Sequence, residues 1–287
     1  MHENVSRTLR ESSCARPGVP EDQFHAAFRA VRPARVDPSV PNEARVWNSL
    51  AGGRDNFEAD RSAARQLAAA APVMTQLGPA SRAFLRRVVT YLAAEAGIRQ
   101  FLDVGTGMPA EGSTHCVAQE VDPSCRVVYV DNDPVVLSHV RAQLRSPGGA
   151  TTSYVEADAR DTRGILHGAG QALDLAKPVG ILMILVLEFV EDAAGALSRL
   201  VAALPSGSYL AVLHPVGDDR LALAARRWNQ VGSMPVFLRD RAEVAGWFVG
   251  LELVEPGLVE VHQWRPAPGD RDYPDGVPLL GAVARVP

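Results

Sequence analysis

The chain has 287 residues, 47% of them hydrophobic, enough for one sizeable core with an appendage. A net charge of −4 with a pI near 6.0 provides no domain-scale basic field, so nucleic acid is not an expected partner. The longest apolar run, residues 179–187, is far too short to span a bilayer, and Cys14, Cys116 and Cys125 are too sparse for a disulfide framework.

Residues 1–40 are rich in Arg, Pro and Ser and read as a loosely held tail with a short helix at 23–31. Their start is polar and lacks the apolar stretch of a signal peptide, so a cytoplasmic setting is expected. Residues 41–97 read as a helical cap. A first helix breaks at Gly52-Gly53, Asp55 or Asn56 can cap a second, and a third starts near Ser81 and stacks Phe84, Leu85, Val88, Val89 and Leu92 on one stripe. From residue 98 to 287 strands and helices alternate. Strands are predicted at 100–104, 126–130, 152–157, 179–187 and 208–213, and helices at 109–121, 134–144, 162–168 and 192–204. Short apolar strands separated by helices imply a doubly wound, mostly parallel Rossmann-like sheet buried on both faces. Residues 216–238 read as a helical insertion with its helix at 218–231. A helix at 239–248 and strands at 251–254 and 280–286 complete the pattern.

Three strand ends carry the chemistry. The first runs F-L-D-V-G-T-G, where Gly105 and Gly107 permit a turn and close backbone approach to a ligand. The helix expected after Pro109 would offer free N–H donors to a carboxylate or phosphate. Asp103, two residues before the first glycine, suits an ammonium, which S-adenosylmethionine has and a dinucleotide lacks. The second strand ends at Asp131, whose carboxylate can accept both hydroxyls of a ribose. Asp133-Pro134 just beyond is a helix cap with proline in the first turn. The third ends in E-A-D-A, placing Asp158 and the Ala159 N–H near an adenine ring. Thr106 and Asn132 accompany these groups, Leu187 ends the fourth strand beside them, and Arg82 at the start of the third helix can meet the methionine carboxylate. G-T-G-M-P-A also fits the nicotinamide-enzyme pattern G-x-G-x-x-A, but about 100 residues precede it here, whereas such folds usually begin with that strand.

With A-R-V-W-N-S-L-A-G-G-R-D-N-F-E-A-D-R, S-R-A-F-L-R-R, F-L-D-V-G-T-G-M-P, V-V-Y-V-D-N-D-P-V-V-L and L-V-E-P-G-L-V-E-V-H-Q-W-R-P, the chain resembles a class I S-adenosylmethionine-dependent methyltransferase. More narrowly it resembles the actinobacterial S-adenosyl methyltransferase family once catalogued as a domain of unknown function, from about residue 41 to the C-terminus. That resemblance implies a seven-stranded doubly wound sheet, an N-terminal helical cap and S-adenosylmethionine as cofactor, and it names no acceptor. The sequence departs from the family in having Ala110 where a Thr is usual and Glu188 where a His is usual.

Methyl transfer from a sulfonium needs positioning and desolvation, and a base only where the acceptor must lose a proton. Glu188, at the end of the fourth strand, is the first candidate for that base. His214, at the end of the fifth, is a second catalytic candidate. Trp47 and Trp228 are candidate contacts to the substrate, an indole face being favourable to a cation. The Gly-Gly corner beside Arg54, Asp55 and Asn56 suits a lid. No metal-ligand spacing links the histidines. The expected activity is methyl transfer to a small-molecule acceptor, without nucleic acid or membrane. The rivals are a cofactor-binding sensor without transfer activity and, third, a nicotinamide oxidoreductase. Oligomeric state leaves no sign in the sequence.

Overall fold

The computed structural model describes residues 36–109, 112–143, 152–266 and 276–287. Most of the expected tail, with its helix at 23–31 and Cys14, lies outside them, as does Ala110. Among the described residues no helix is long and apolar enough to cross a membrane.

Five apolar segments pair side by side in parallel: β1 (Gln100–Val104), β2 (Arg126–Asp131), β3 (Thr152–Glu156), β4 (Gly180–Ile184) and β5 (Tyr209–Pro215). β6 (Glu252–Leu253), β7 (Val259–Glu260) and β8 (Leu279–Arg285) finish one edge, with β8 antiparallel to β5 and to both short strands. The order is β3-β2-β1-β4-β5-β8-β6, with β7 branching from β8. The expected seven strands are therefore eight, because β7 spans two residues and leaves no period in the sequence.

Alternate side chains of each strand enter opposite cores. Phe101, Val127, Tyr129, Leu182 and Val283 join one apolar cluster, and Leu102, Val128, Ile181, Val212 and Ala282 join the other. The second face is covered by α6 (Thr162–Ala169), α7 (Ala193–Ala202) and α9 (Arg241–Gly246), which contribute Ile165, Leu197 and Val244 to its cluster. The first is covered by α3 (Met74–Ala94), α4 (Thr114–Val121) and α5 (Pro134–Gln143), with Phe84, Val117 and Val136 in its cluster. α1 (Glu43–Leu50), α2 (Glu58–Ala70) and α8 (Asp219–Val231) pack beyond α3, adding Val46, Leu67 and Trp228.

The third cap helix, expected from near Ser81, begins at Met74, and three other expected boundaries shift for visible reasons. The strand predicted over 179–187 ends at Ile184, because Leu185 turns the backbone to a φ of 55° and a short 3₁₀ turn, Leu187–Phe189, follows. An apolar strand and an apolar turn look alike in sequence. The helix predicted over 109–121 starts only at Thr114, after Gly112 at φ 77°. The second cap helix is entered from Phe57, not from Asp55 or Asn56: Asp60 Oδ2 accepts from the Phe57 N–H at 2.8 Å. Asn56 instead ties the glycine corner, its amide donating to Asn48 Oδ1 at 2.8 Å and to the Gly53 carbonyl at 2.9 Å. A Cβ at Gly53 would lie 2.3 Å from Asn48 Nδ2, so a larger residue there would push the Asn48 amide out of this corner.

The cap is fastened to the sheet by Arg45, a residue to which the sequence assigned no role. Its guanidinium, 4% exposed, bonds Asp60 at 2.9 Å, Asp133 at 3.1 Å and the Val40 carbonyl at 3.0 Å. Asp60 lies in α2 and is fully buried, and Asp133 accepts from the Val135 N–H at 2.8 Å as the cap of α5. One cation thus joins α1, α2 and the corner after β2. Removing one member of a buried ion network leaves charges without compensation. Arg45→Ala is expected to cost about 3–5 kcal/mol of stability. Urea unfolding of the full chain checks this, and a loss below about 1 kcal/mol, the scale of a surface pair, would contradict the role.

Candidate functional site

The winding of the sheet reverses between β1 and β4, and the crevice outside such a reversal is where open α/β sheets bind ligands. A cavity of about 220 Å³ lies there, roofed by α1 and the start of α3. Asp103, Gly105, Thr106, Gly107, Asp131, Asn132, Asp158, Ala159, Arg82 and Trp47 all line it. These ten residues reach one cavity from five separate stretches of chain.

Gly105 (φ 74°) and Gly107 (φ 65°) both stand in the left-handed region, which side chains disfavour. At Gly105 a Cβ would also lie 2.3 Å from Val186 Cγ2, so the loops after β1 and β4 meet there. At Gly107 the space is open. The backbone donors of this turn are used differently from the expectation of a helix N-terminus facing the ligand. Gly105 N–H bonds the Val130 carbonyl at 2.8 Å, and Gly107 N–H donates to Asp131 Oδ2 at 2.8 Å. The Asp133 N–H donates to Asp131 Oδ1 at 3.0 Å, so the turn aims the carboxylate from both sides.

Asp103 accepts from the Thr114 hydroxyl at 2.6 Å. Thr114 was missed in the sequence because the helix was predicted to begin earlier; as the first residue of α4 it is a serviceable donor to the strand behind it. Asp103 and Asp131 are 6% and 8% exposed. Burial pushes both carboxyls up to about 6 from an ordinary 3.8. The Thr114 bond opposes this at Asp103 and the Asp133 and Gly107 N–H bonds oppose it at Asp131; Asp103 and Asp131, and Asp131 and Asp133, also repel. Asp158 differs: Arg160 grips it at 2.7 Å on each oxygen and holds its carboxyl below the ordinary value, while the Asn132 amide donates to it at 3.2 Å. Arg82 makes no ion pair or hydrogen bond among the described residues, and burial lowers its hold on the proton.

Four expected site residues lie elsewhere. Leu187 is fully buried in the core on the far face of the sheet, because the 3₁₀ turn rotates it inward; Leu185 and Val186 line the cavity in its place. His214 is also fully buried, with its ring edge-on to Trp247 at 4.9 Å and not on the rim, since β5 runs on through Pro215. Glu188 and Trp228 line a second, smaller cavity next to the first. Sequence reasoning missed Asn42, Glu43, Asn48, Ser81, Leu85, Met108 and Phe189 on the main cavity. The polar cap run P-N-E was a usable signal, since Asn42 caps α1 with its side chain.

A family profile described as S-adenosyl methyltransferase matches residues 29–287. A DUF574 family protein from Streptomyces avermitilis MA-4680 is 41% identical, with a TM-score of 0.84 over 88% of this chain and 100% of that one. A candidate methyltransferase from Thermobifida fusca YX is 37% identical, with a TM-score of 0.79 over 86% and 96%. Magnesium protoporphyrin IX methyltransferase from Synechocystis PCC 6803, solved with S-adenosylhomocysteine, shares the fold at 13% identity and a TM-score of 0.52, over 84% and 93%. A search of curated protein sequences returns no match.

Because both buried acids hold protons more tightly when folded, the native state binds more protons than the unfolded chain between pH 3.8 and about 6. Their contribution to stability is therefore greatest below that window and falls as pH rises through it. Replacing both acids, Asp103→Asn with Asp131→Asn, is expected to raise stability relative to wild type more at pH 7 than at pH 4, read from urea midpoints of the ligand-free protein. An equal difference at the two pH values would contradict the shifts.

Proposed function

The chain belongs to the S-adenosyl methyltransferase family, and on that premise we propose that the larger cavity holds its S-adenosylmethionine and that the methyl group goes to a small-molecule acceptor under the helical cap. One observation carries the cofactor placement: two buried acids, an arginine unpaired among the described residues and an open glycine turn line a single cavity at the sheet's reversal point. These residues fit the group. Asp131, aimed by two backbone N–H groups, keeps lone pairs for ribose hydroxyls. Asp103, with Thr114 on one oxygen, keeps the other for the ammonium. Arg82, which has no ion-pair or hydrogen-bond partner among the described residues, is suited to the methionine carboxylate. Asp158 and Ala159 stand at the end where the adenine would lie.

When bound, S-adenosylmethionine supplies a methyl group already activated by its sulfonium. What remains for the protein is to orient the acceptor and exclude water. Trp47, on α1, lines both this cavity and its neighbour and is assigned to substrate contact at their junction. The cap helices close the crevice from above, and the buried Arg45 network sets how far they stand from the strand ends.

Calorimetry tests the assignment: S-adenosylhomocysteine is expected to bind and NAD(H) not to, and the reverse would overturn it. Gly107→Val is expected to abolish S-adenosylhomocysteine binding with the circular dichroism spectrum unchanged, since a β-branched residue resists this φ and would enter the cavity. Asp131→Ala should weaken binding by about 1.5–3 kcal/mol, the range for hydrogen bonds to a charged group. An unmoved affinity in that variant would remove the ribose assignment.

A further inference from the structure

Glu43, Trp47 and Phe189 line the larger cavity and also a smaller one of about 60 Å³ beside it. The walls of the smaller one come from α1, α2, the start of α3, α8 and the 3₁₀ turn after β4, and they are almost wholly apolar. Among the described residues two ionisable side chains reach them, Glu43 and Glu188, and both are acids. No described lysine, arginine or histidine lines this space. Trp228 contributes an indole whose N–H is already spent on the Met234 carbonyl at 2.6 Å.

Glu188 is the unusual member. It is 3% exposed, and its Oε2 has no hydrogen-bond partner among the described residues. Among the described residues its nearest basic group is His214 Nδ1 at 3.9 Å, beyond hydrogen-bond reach, and both ring nitrogens of His214 are likewise without partners there. Burial drives His214 down to about 3, so it stands neutral at physiological pH and offers no counter-charge. Arg239 exerts some attraction, but its donors are taken by the carbonyls of Leu187, Val190 and Glu191. A buried carboxyl oxygen without a donor is costly and rare, and marks a place where a partner is missing. The Glu43 carboxylate, at the junction of the two cavities, is held from behind by the Ser233 hydroxyl at 3.0 Å.

We propose that the smaller cavity seats the methyl acceptor and that the acceptor is a compact apolar amine, whose nitrogen is held between Glu188 and Glu43 at the junction with the cofactor cavity. This rests on the methyltransferase reading given above. An ammonium brings donors for both acids, and the aromatic wall of Trp47, Phe189 and Trp228 favours a cation. A neutral alcohol brings a single donor for two acids. A carboxylate would meet an acid on either side and, among the described residues that line the space, no cation. Burial pushes Glu188 up to about 8, so its ionised form, whose share grows as pH rises toward that value, is a strong enough base to take the amine's proton. In that step an N–H bond of the ammonium breaks and an O–H bond forms at Glu188, leaving a neutral amine with its lone pair free.

The test uses the full chain saturated with S-adenosylhomocysteine and three matched probes: 2-phenylethylamine, 2-phenylethanol and 3-phenylpropionate, with binding read by calorimetry and by saturation-transfer NMR. The amine is expected to bind about tenfold tighter than the alcohol, the margin of a charge-assisted over a neutral hydrogen bond, and the carboxylate not at all. Glu188→Gln should erase the preference for the amine while leaving the affinity for S-adenosylhomocysteine unchanged. Glu43→Gln, at a less buried position, should reduce the same preference and keeps the test open should the Glu188 variant fold poorly. No binding of the amine, equal binding of the alcohol or carboxylate, or a preference that survives both substitutions would overturn the proposal. Failure of S-adenosylhomocysteine to bind the wild-type chain would instead defeat the methyltransferase reading itself, and this inference with it.

Discussion

One buried guanidinium determines where the ligand space can be. Arg45 spans Asp60 in the cap and Asp133 at the corner after β2, and Asp133 in turn donates its N–H to Asp131. A cation in that position is stable only while both carboxylates surround it, so the cap is fixed over the strand ends and not elsewhere on the sheet. The roof of the larger cavity and the alignment of its second acid therefore derive from the same interaction. Asn42 extends this link: its N–H donates to Asp60 and its side chain caps α1, the helix that carries Glu43 and Trp47.

Against that rigid frame the site itself is kept in an unfavourable state. Asp103 and Asp131 are buried and close enough to repel, and burial raises both of their pKa values. Glu188, in the neighbouring cavity, lacks a donor at Oε2 among the described residues. Burying polar groups without full compensation lowers stability, and such groups persist where a ligand completes them. The cost is carried by two dry apolar cores on either face of the sheet, built from strands whose alternate residues point in opposite directions. Leu185, a non-glycine residue at φ 55°, adds local strain at the same crevice, where it turns the chain out of β4 and into the cavity wall.

The parallel sheet and the acids at its strand tips were legible in the sequence because each depends on local information. A short apolar run ending in Asp, followed by glycine or by Asp-Pro, leaves little choice of conformation. Asp103, Asp131 and the glycine pair fell where that pattern placed them. What the sequence hid were relations between distant segments. Arg45 reads as an ordinary helical arginine until Asp133, 88 positions later, is seen to share its charge. Leu187, Glu188 and His214 were placed on the rim because their strands were read as straight. A turn at Leu185 and two further strand residues after Leu213 moved all three into the interior. Trp228, expected to contact the substrate, lines the smaller cavity and not the larger one. Pairing of β7 with β8 and the start of α4 at Thr114 were likewise beyond a reading of local periodicity.

The central claim is that β1, β2 and the cap converge on a single adenosyl ligand. A crystal structure of the full chain with S-adenosylhomocysteine tests it most directly. The account predicts the ribose hydroxyls on the Asp131 carboxylate, the amino group at Asp103 and the carboxylate toward Arg82. A ligand bound outside this cavity, or one inside it that leaves Asp103 and Asp131 without contact, would contradict it.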